Sequence, residues 1–247
     1  MKPWPYPRWI AHRGAGLLAP ENTLAAFRCG YAQGYRMFEC DVRLSADEQP
    51  FLLHDDHLDR TTTGCGPACA LNWAELAKLD AGCWHGADFA GEGLPGLQAV
   101  LAFCQQHGCA LNIELKPDAG RAARTGEVVA RLLQREWRQA PPPLLSSFQF
   151  EALESARAAA PQWPRALLFE HLPADWLLRA RALDCVAIVA QSRQWTAASV
   201  DAARAAGFRL AAYTVNAADE AQRLLALGVD ALITDRVDAF DPGGLAD

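Results

Sequence analysis

The sequence predicts an α/β protein: one (β/α)8 barrel of the TIM type across residues 1–247, with a small insertion after the second barrel strand, about 55–95. Three observations point there. Short apolar runs alternate with helical stretches about eight times, a rhythm that builds a parallel sheet. A length of 247 residues suits one closed barrel. Polar side chains with chemical capability gather at the ends of the apolar runs, the face on which such barrels carry their sites.

In order, "WIAHRG" leads into the helical stretch "TLAAFRCGYAQG", and "MFECDVRL" and "PFLLHD" follow. Helical "LQAVLAFCQQHG" then precedes the apolar "ALNIELK", and "GEVVARLLQREW" precedes "PPLLSSF". The pattern repeats with "FEALESARAAAP" and "RALLFE", "ADWLLRARAL" and "DCVAIVA", "TAASVDAARAAG" and "FRLAAYTVN", and "ADEAQRLLALG" and "VDALITD". Several helical stretches end at Gly, which suits a left-handed C-terminal residue. An open doubly wound sheet is the rival fold. It normally carries G-x-G-x-x-G after the first strand, and "HRGAG" lacks that spacing. The Thr-, Gly- and Asp-rich stretch from Asp55 to Pro95 breaks the rhythm and is read as the insertion.

Composition narrows the partners. The net charge of -6 disfavours a duplex nucleic acid, which calls for a basic face. No apolar run is long enough to span a bilayer, and "MKPWPYPRWIAHRG" lacks the apolar core of a secretory signal. A cytoplasmic protein without membrane insertion is expected. The 8 cysteines include no CxxC pair and are expected to be reduced. A zinc site from Cys65, Cys69, Cys83 and His85 fits no common ligand spacing.

His12 and Arg13 end the first apolar run. Glu39 and Asp41 lie two apart on the second and so share a face. Phe38, Cys40 and Val42 then face the helices. His54 ends "PFLLHD". Asn112, Glu114 and Lys116 share one face of a later strand, opposite Leu111, Ile113 and Leu115. Ser146 and Phe148 end the next strand, Tyr213 and Asn216 a later one, and Asp235 the last. Taken singly, each carboxylate would pair with Arg13, Arg43 or Lys116. Three carboxylates aimed into one mouth cannot all ionise unaided, and a hard divalent cation on Glu39, Asp41 and Glu114 is the simplest answer. His12 and His54 offer a general acid and a general base, while Arg13 and Lys116 suit a phosphate. Histidines 57, 85, 107 and 171 are read as structural. Together these groups describe phosphoryl transfer or phosphodiester cleavage. No G-x-S-x-G elbow marks a serine hydrolase.

The segments "AHRGAGLLAPENTLAAFRCGYAQG", "FECDVRLSADEQPFLLHDDHLDRTTTGCG", "LNIELKP" and "GVDALITDRVD" resemble the glycerophosphodiester phosphodiesterases, most closely the short bacterial cytoplasmic type. The resemblance implies a TIM barrel that hydrolyses small-molecule glycerophosphodiesters to glycerol 3-phosphate and an alcohol. It implies His12 and His54 as the acid/base pair, and Glu39, Asp41 and Glu114 as ligands of Mg²⁺ or Ca²⁺. Arg13 and Lys116 match the phosphate-contacting cations. The implied path runs through attack by the glycerol 2-hydroxyl and a cyclic phosphate. The insertion would roof the glycerol end, with Phe148 and Tyr213 as walls; many relatives carry Trp at the latter position. In "PENT", Asn22 or Thr23 should cap a helix and Glu21 could orient Arg13 or a histidine. A lysophospholipase D acting on larger lysolipids is the alternative, and it would need an apolar approach such as Trp84, Phe89 and Leu94.

Overall fold

The computed structural model describes residues 4–243. Its strands are β1 (Trp9–Ala11), β2 (Met37–Leu44), β3 (Pro50–Leu52), β4 (Ala110–Leu115), β5 (Leu144–Ser147), β6 (Arg165–Phe169), β7 (Ala187–Gln191), β8 (Arg209–Tyr213) and β9 (Ala231–Thr234). The helices are α1 (Leu24–Ala32), α2 (Trp73–Leu76), α3 (Leu97–His107), α4 (Ala122–Glu136), α5 (Phe150–Ala159), α6 (Trp176–Ala182), α7 (Ala197–Ala205) and α8 (Ala218–Leu227). All strands but β3 run parallel in the order β1-β9-β8-β7-β6-β5-β4-β2, and a bridge from Ala11 to Phe38 closes the ring. The protein is a TIM barrel.

Period-2 alternation sorts each strand's side chains between two cores. Phe38, Cys40, Val42, Leu111, Ile113 and Leu115 pack outward under the helices. Met37 and Ala110 point inward and fill the barrel with Ile10, Leu144, Ala166, Ala187 and Ala231. Two residues further along the same inward faces stand Glu39 and Asn112, and then Asp41 and Glu114. The barrel is therefore oily at its base and ionisable at its C-terminal mouth. Left-handed Gly108 and Gly228 end α3 and α8, and Thr23, not Asn22, caps α1 through Ala26 N.

The run "PFLL" is not a barrel strand. β3 pairs antiparallel with the outer end of β2, Val42 opposite Leu52. The link 45–49 is far too short for a parallel crossover, which needs about a dozen residues. His54 thus follows an off-barrel hairpin. The excursion from the barrel starts at that hairpin, ahead of Asp55, and carries a small core of Phe51, Leu53, Leu58, Leu76 and Leu94. Leu94 belongs to this core, Phe89 packs against the barrel core instead, and Trp84 stays 39% exposed. No helix among the described residues is long and apolar enough to cross a membrane.

Candidate active site

The turn after β1 places the first histidine. His12 N donates to the Thr234 carbonyl at 3.0 Å, extending the β1–β9 pairing. Gly16, at φ +56°, lets the turn lie on the backbone of Asp235; a Cβ there would sit 2.0 Å from the Asp235 carbonyl oxygen. His12 Nδ1 is 2.6 Å from Asp235 Oδ1, and Asn216 Nδ2 donates to Asp235 Oδ2 at 2.9 Å. Burial works against ionisation of Asp235, but His12 and Asn216 outweigh it and hold the carboxyl below its usual range. The ionised carboxylate assigns the Nδ1 proton to His12, leaving Nε2 toward the mouth, 3.8 Å from Glu39 Oε2.

Glu39 and Asp41 rise from β2, and Glu114 stands beside Asp41 in the β2–β4 register. One carboxylate oxygen of each lies within 4.8 Å of the others. Burial, then Asp41 and Glu114, push Glu39 well above the usual carboxylate range. Burial and Asp41 push Glu114 up to about 7. Asp41 goes the other way: burial is overcome by Arg13, His54 and Lys116 and by a 2.8 Å hydrogen bond from Asn22 Nδ2. Asn22, at φ +58°, also accepts from Asp41 N, so its part is to hold a carboxylate rather than to cap. Glu39 Oε1 is buried without a hydrogen-bond partner, and Glu114 Oε1 has only the Lys116 ammonium, 3.4 Å away. Crowded, partly unpartnered oxygens with no sulfur or nitrogen among them fit a hard divalent cation. Among the described residues this is the one grouping of metal-ligand geometry. Cys65 and Cys83 are exposed free thiols, and the suggested zinc set does not assemble.

The cations close the ring of charge. Arg13 Nε is 3.4 Å from Asp41 Oδ2, and its Nη1 donates to Glu21 at 2.8 Å. Lys116 Nζ is 3.4 Å from Glu114 Oε1 and 3.2 Å from His54 Nε2. The ammonium can only donate, so Nε2 of His54 carries the lone pair and Nδ1–H donates to Asp55 at 2.7 Å. Burial, with Arg13 and Lys116, holds the His54 pKa below its ordinary value against the pull of Asp41 and Asp55. Arg43 does not serve the carboxylate cluster. It binds Asp118 at 2.8 Å and the His54 carbonyl at 2.9 Å, pinning the backbone of that histidine.

His12, Arg13, Glu39, His54, Glu114 and Lys116 line one cavity of about 190 Å³ together with Phe148 and Tyr213, and Asp41 is buried against Arg13 and Lys116. The two rings meet edge-on at 5.9 Å, and the Tyr213 hydroxyl donates to the Phe169 carbonyl. No residue of the stretch 55–95 lines this cavity, contrary to the expected roof. That segment reaches the site indirectly, through Asp55 and Arg60. A larger cavity of about 470 Å³ beside Trp73, Arg124 and Arg131 gathers none of these groups. Asp235 and Asn216 were visible as strand-end residues without a role, and Asp55 as the neighbour of His54. Arg60 left no signal in the sequence.

The model of the glycerophosphoryl diester phosphodiesterase family matches residues 12–239. YhdW of Bacillus subtilis is 36% identical over 235 residues, covering 93% of this chain and 94% of its own. A glycerophosphodiester phosphodiesterase of Caldanaerobacter subterraneus is 30% identical over 227 residues, 92% and 93% of the two chains. The solved structure of an Oleispira antarctica phosphodiesterase in complex with the product sn-glycerol-3-phosphate superposes with a TM-score of 0.90 at 38% identity, covering 93% of each chain. The chain belongs to the glycerophosphoryl diester phosphodiesterase family and is an enzyme of that class.

Proposed function

We propose that the chain hydrolyses glycerophosphodiesters to glycerol 3-phosphate and an alcohol by histidine acid/base catalysis. The carrying observation is one cavity lined by two histidines, each with Nδ1 on an aspartate, by two cations, and by two members of the cluster Glu39, Asp41 and Glu114. Glu39, Asp41 and Glu114 would hold Mg²⁺ or Ca²⁺, since carboxylate oxygens suit both. A bound divalent ion polarises a phosphoryl oxygen and offsets developing charge.

Arg13 and Lys116 take the phosphoryl oxygens. His54, with Nε2 unprotonated, removes the proton of the glycerol 2-hydroxyl, whose oxygen attacks phosphorus. The bond from phosphorus to the leaving alcohol breaks, and His12, entering as the imidazolium with Nδ1–H on Asp235, gives its Nε2 proton to that oxygen. Water then opens the cyclic phosphate with the two roles exchanged: His12 takes the water proton and His54 returns one to the 2-oxygen. Phe148 and Tyr213 wall the glycerol. The product bound by the Oleispira relative is the one this path yields. Free thiols throughout the described chain support work in a reducing compartment such as the cytoplasm.

The test is release of glycerol 3-phosphate from glycerophosphocholine with Mg²⁺, with Ca²⁺ and after EDTA, beside Glu114→Ala. Turnover unaffected by EDTA and by that substitution would sink the metal assignment. A second reading, lysophospholipase D activity, rests on an apolar edge at the mouth. Leu17 is 65% exposed, its N–H is bonded to the Asp235 carbonyl, and its own carbonyl is 3.1 Å from His85 Nε2, next to exposed Trp84. Faster turnover of lysophosphatidylcholine than of glycerophosphocholine would favour it.

A further inference from the structure

The insertion contributes no wall to the cavity, yet it supplies one guanidinium that ties the two halves of the site together. Arg60 Nη1 and Nη2 donate to Glu21 Oε2 and Oε1, each at 2.8 Å. Its Nε and Nη2 donate to Asp55 Oδ2 and Oδ1 at 2.6 and 3.1 Å. Glu21 Oε1 also accepts from Arg13 Nη1 at 2.8 Å, and Asp55 Oδ1 is 2.7 Å from His54 Nδ1. The result is a chain of alternating charge, Arg13–Glu21–Arg60–Asp55–His54. It spans two segments far apart in the chain: the connection from β1 to α1 and the loop after β3.

We infer that Arg60 is a positioning residue that fixes Arg13 and His54 relative to one another through Glu21 and Asp55. The inference rests on the phosphodiesterase reading and adds a residue that touches neither substrate nor metal. Three features carry it. Each carboxylate has one partner in the cavity and one on Arg60, so neither is oriented by the cavity side alone. The planar fork matches two carboxylates at once, a geometry that lysine cannot reproduce. Arg60 is 45% exposed, so the fold does not depend on burying it, whereas Arg13 and Glu21 are mostly covered. Reacting groups displaced by about 1 Å lose on the order of 10²-fold in rate, and without Arg60 the Asp55 carboxylate would still meet His54 Nδ1 but lose the guanidinium that fixes its own orientation.

The experiment compares the wild type with Arg60→Gln, Arg60→Lys, Asp55→Asn and the Arg60→Gln/Asp55→Asn double variant. It measures kcat and KM separately on glycerophosphocholine, and Tm for each protein. Arg60→Gln should lose about 10–100-fold, mostly in kcat, with a small change in Tm. Arg60→Lys should recover part of that loss. In the Asp55→Asn background the link is already cut, so Arg60→Gln should cost no more than about 3-fold further, the non-additivity expected of coupled residues. A wild-type kcat in Arg60→Gln, or a loss that multiplies in full with Asp55→Asn, would overturn the inference. Should Arg60→Gln fail to fold, Arg60→Lys alone and in the Asp55→Asn background poses the same question with the same two outcomes. No wild-type turnover of glycerophosphocholine would instead overturn the glycerophosphodiester reading. The Arg60 ratios would then be measured on bis(4-nitrophenyl) phosphate, a diester without glycerol, and judged identically.

Discussion

His12 and Asp235 lie 2.6 Å apart, Nδ1 to carboxylate, although 223 positions separate them in the chain. The barrel makes this contact by closing: β1 and β9 are hydrogen-bonded neighbours with Ala11 opposite Thr234, so the next residue of each strand meets the other at the mouth. The first and last strands together build one histidine–carboxylate pair. The loop after β3 builds the second, His54 with Asp55.

The pair predicts a specific loss. Asp235→Asn keeps the shape but allows the amide to donate to Nδ1, which favours the wrong tautomer of His12. We expect kcat to fall by about 10²-fold or more, with KM and Tm little changed. A variant at wild-type kcat would show that the tautomer of His12 does not matter.

Removing either ring should cost more than removing its partner's charge. His12→Ala and His54→Ala are each expected to lower kcat by about 10²–10⁴-fold while far-UV circular dichroism stays unchanged. Unchanged turnover in either variant would withdraw that histidine from the acid/base pair.

The carboxylate cluster predicts a metal-linked pH dependence of stability. Burial and Asp41 raise Glu114 from 4.5 to about 7, and Glu39 moves in the same direction. A raised carboxyl pKa contributes stability that is present below the unfolded value and is lost as pH rises through the folded one. In EDTA, Tm should therefore fall between about pH 4.5 and about pH 7. Divalent ions bind the ionised form, so Mg²⁺ or Ca²⁺ should raise Tm more at about pH 7.5 than at about pH 5. Equal shifts at both would contradict the cluster as the binding site.

At the aromatic wall, the Tyr213 hydroxyl is already engaged with the Phe169 carbonyl. Tyr213→Phe should leave kcat/KM near the wild-type value, whereas Tyr213→Ala removes the ring and should raise KM for a glycerophosphodiester. Equal effects of the two substitutions would place the hydroxyl, not the ring, in contact with substrate.

Gly16 carries a structural prediction. At φ +56°, with a Cβ position 2.0 Å from the Asp235 carbonyl, Gly16→Ala must move the turn after β1. We expect a loss of about 1–3 kcal/mol or more from the backbone conformation alone, seen as a lower Tm, together with reduced kcat through displaced Asp235. Full stability and activity would mean that the turn relaxes without cost.

The sequence by itself determined the barrel and the inner faces of its strands. Alternation with period 2 is a local property, so "FECDV" and "LNIEL" already assign Glu39, Asp41 and Glu114 to one mouth and Phe38, Ile113 and Leu115 to the helices. Four things were decided by tertiary structure. β3 left the barrel, because an apolar run looks the same in a hairpin as in a parallel strand. Arg43 turned to Asp118 and the His54 backbone instead of the carboxylates. Asp235 became the partner of His12 only once the ring closed. Arg60, indistinguishable in the sequence from any solvated arginine, reached Glu21 and Asp55. Hydrophobic periodicity records which side of an element faces the core. It carries no record of which charge meets which across a closed barrel, since that depends on distances between residues far apart in the chain.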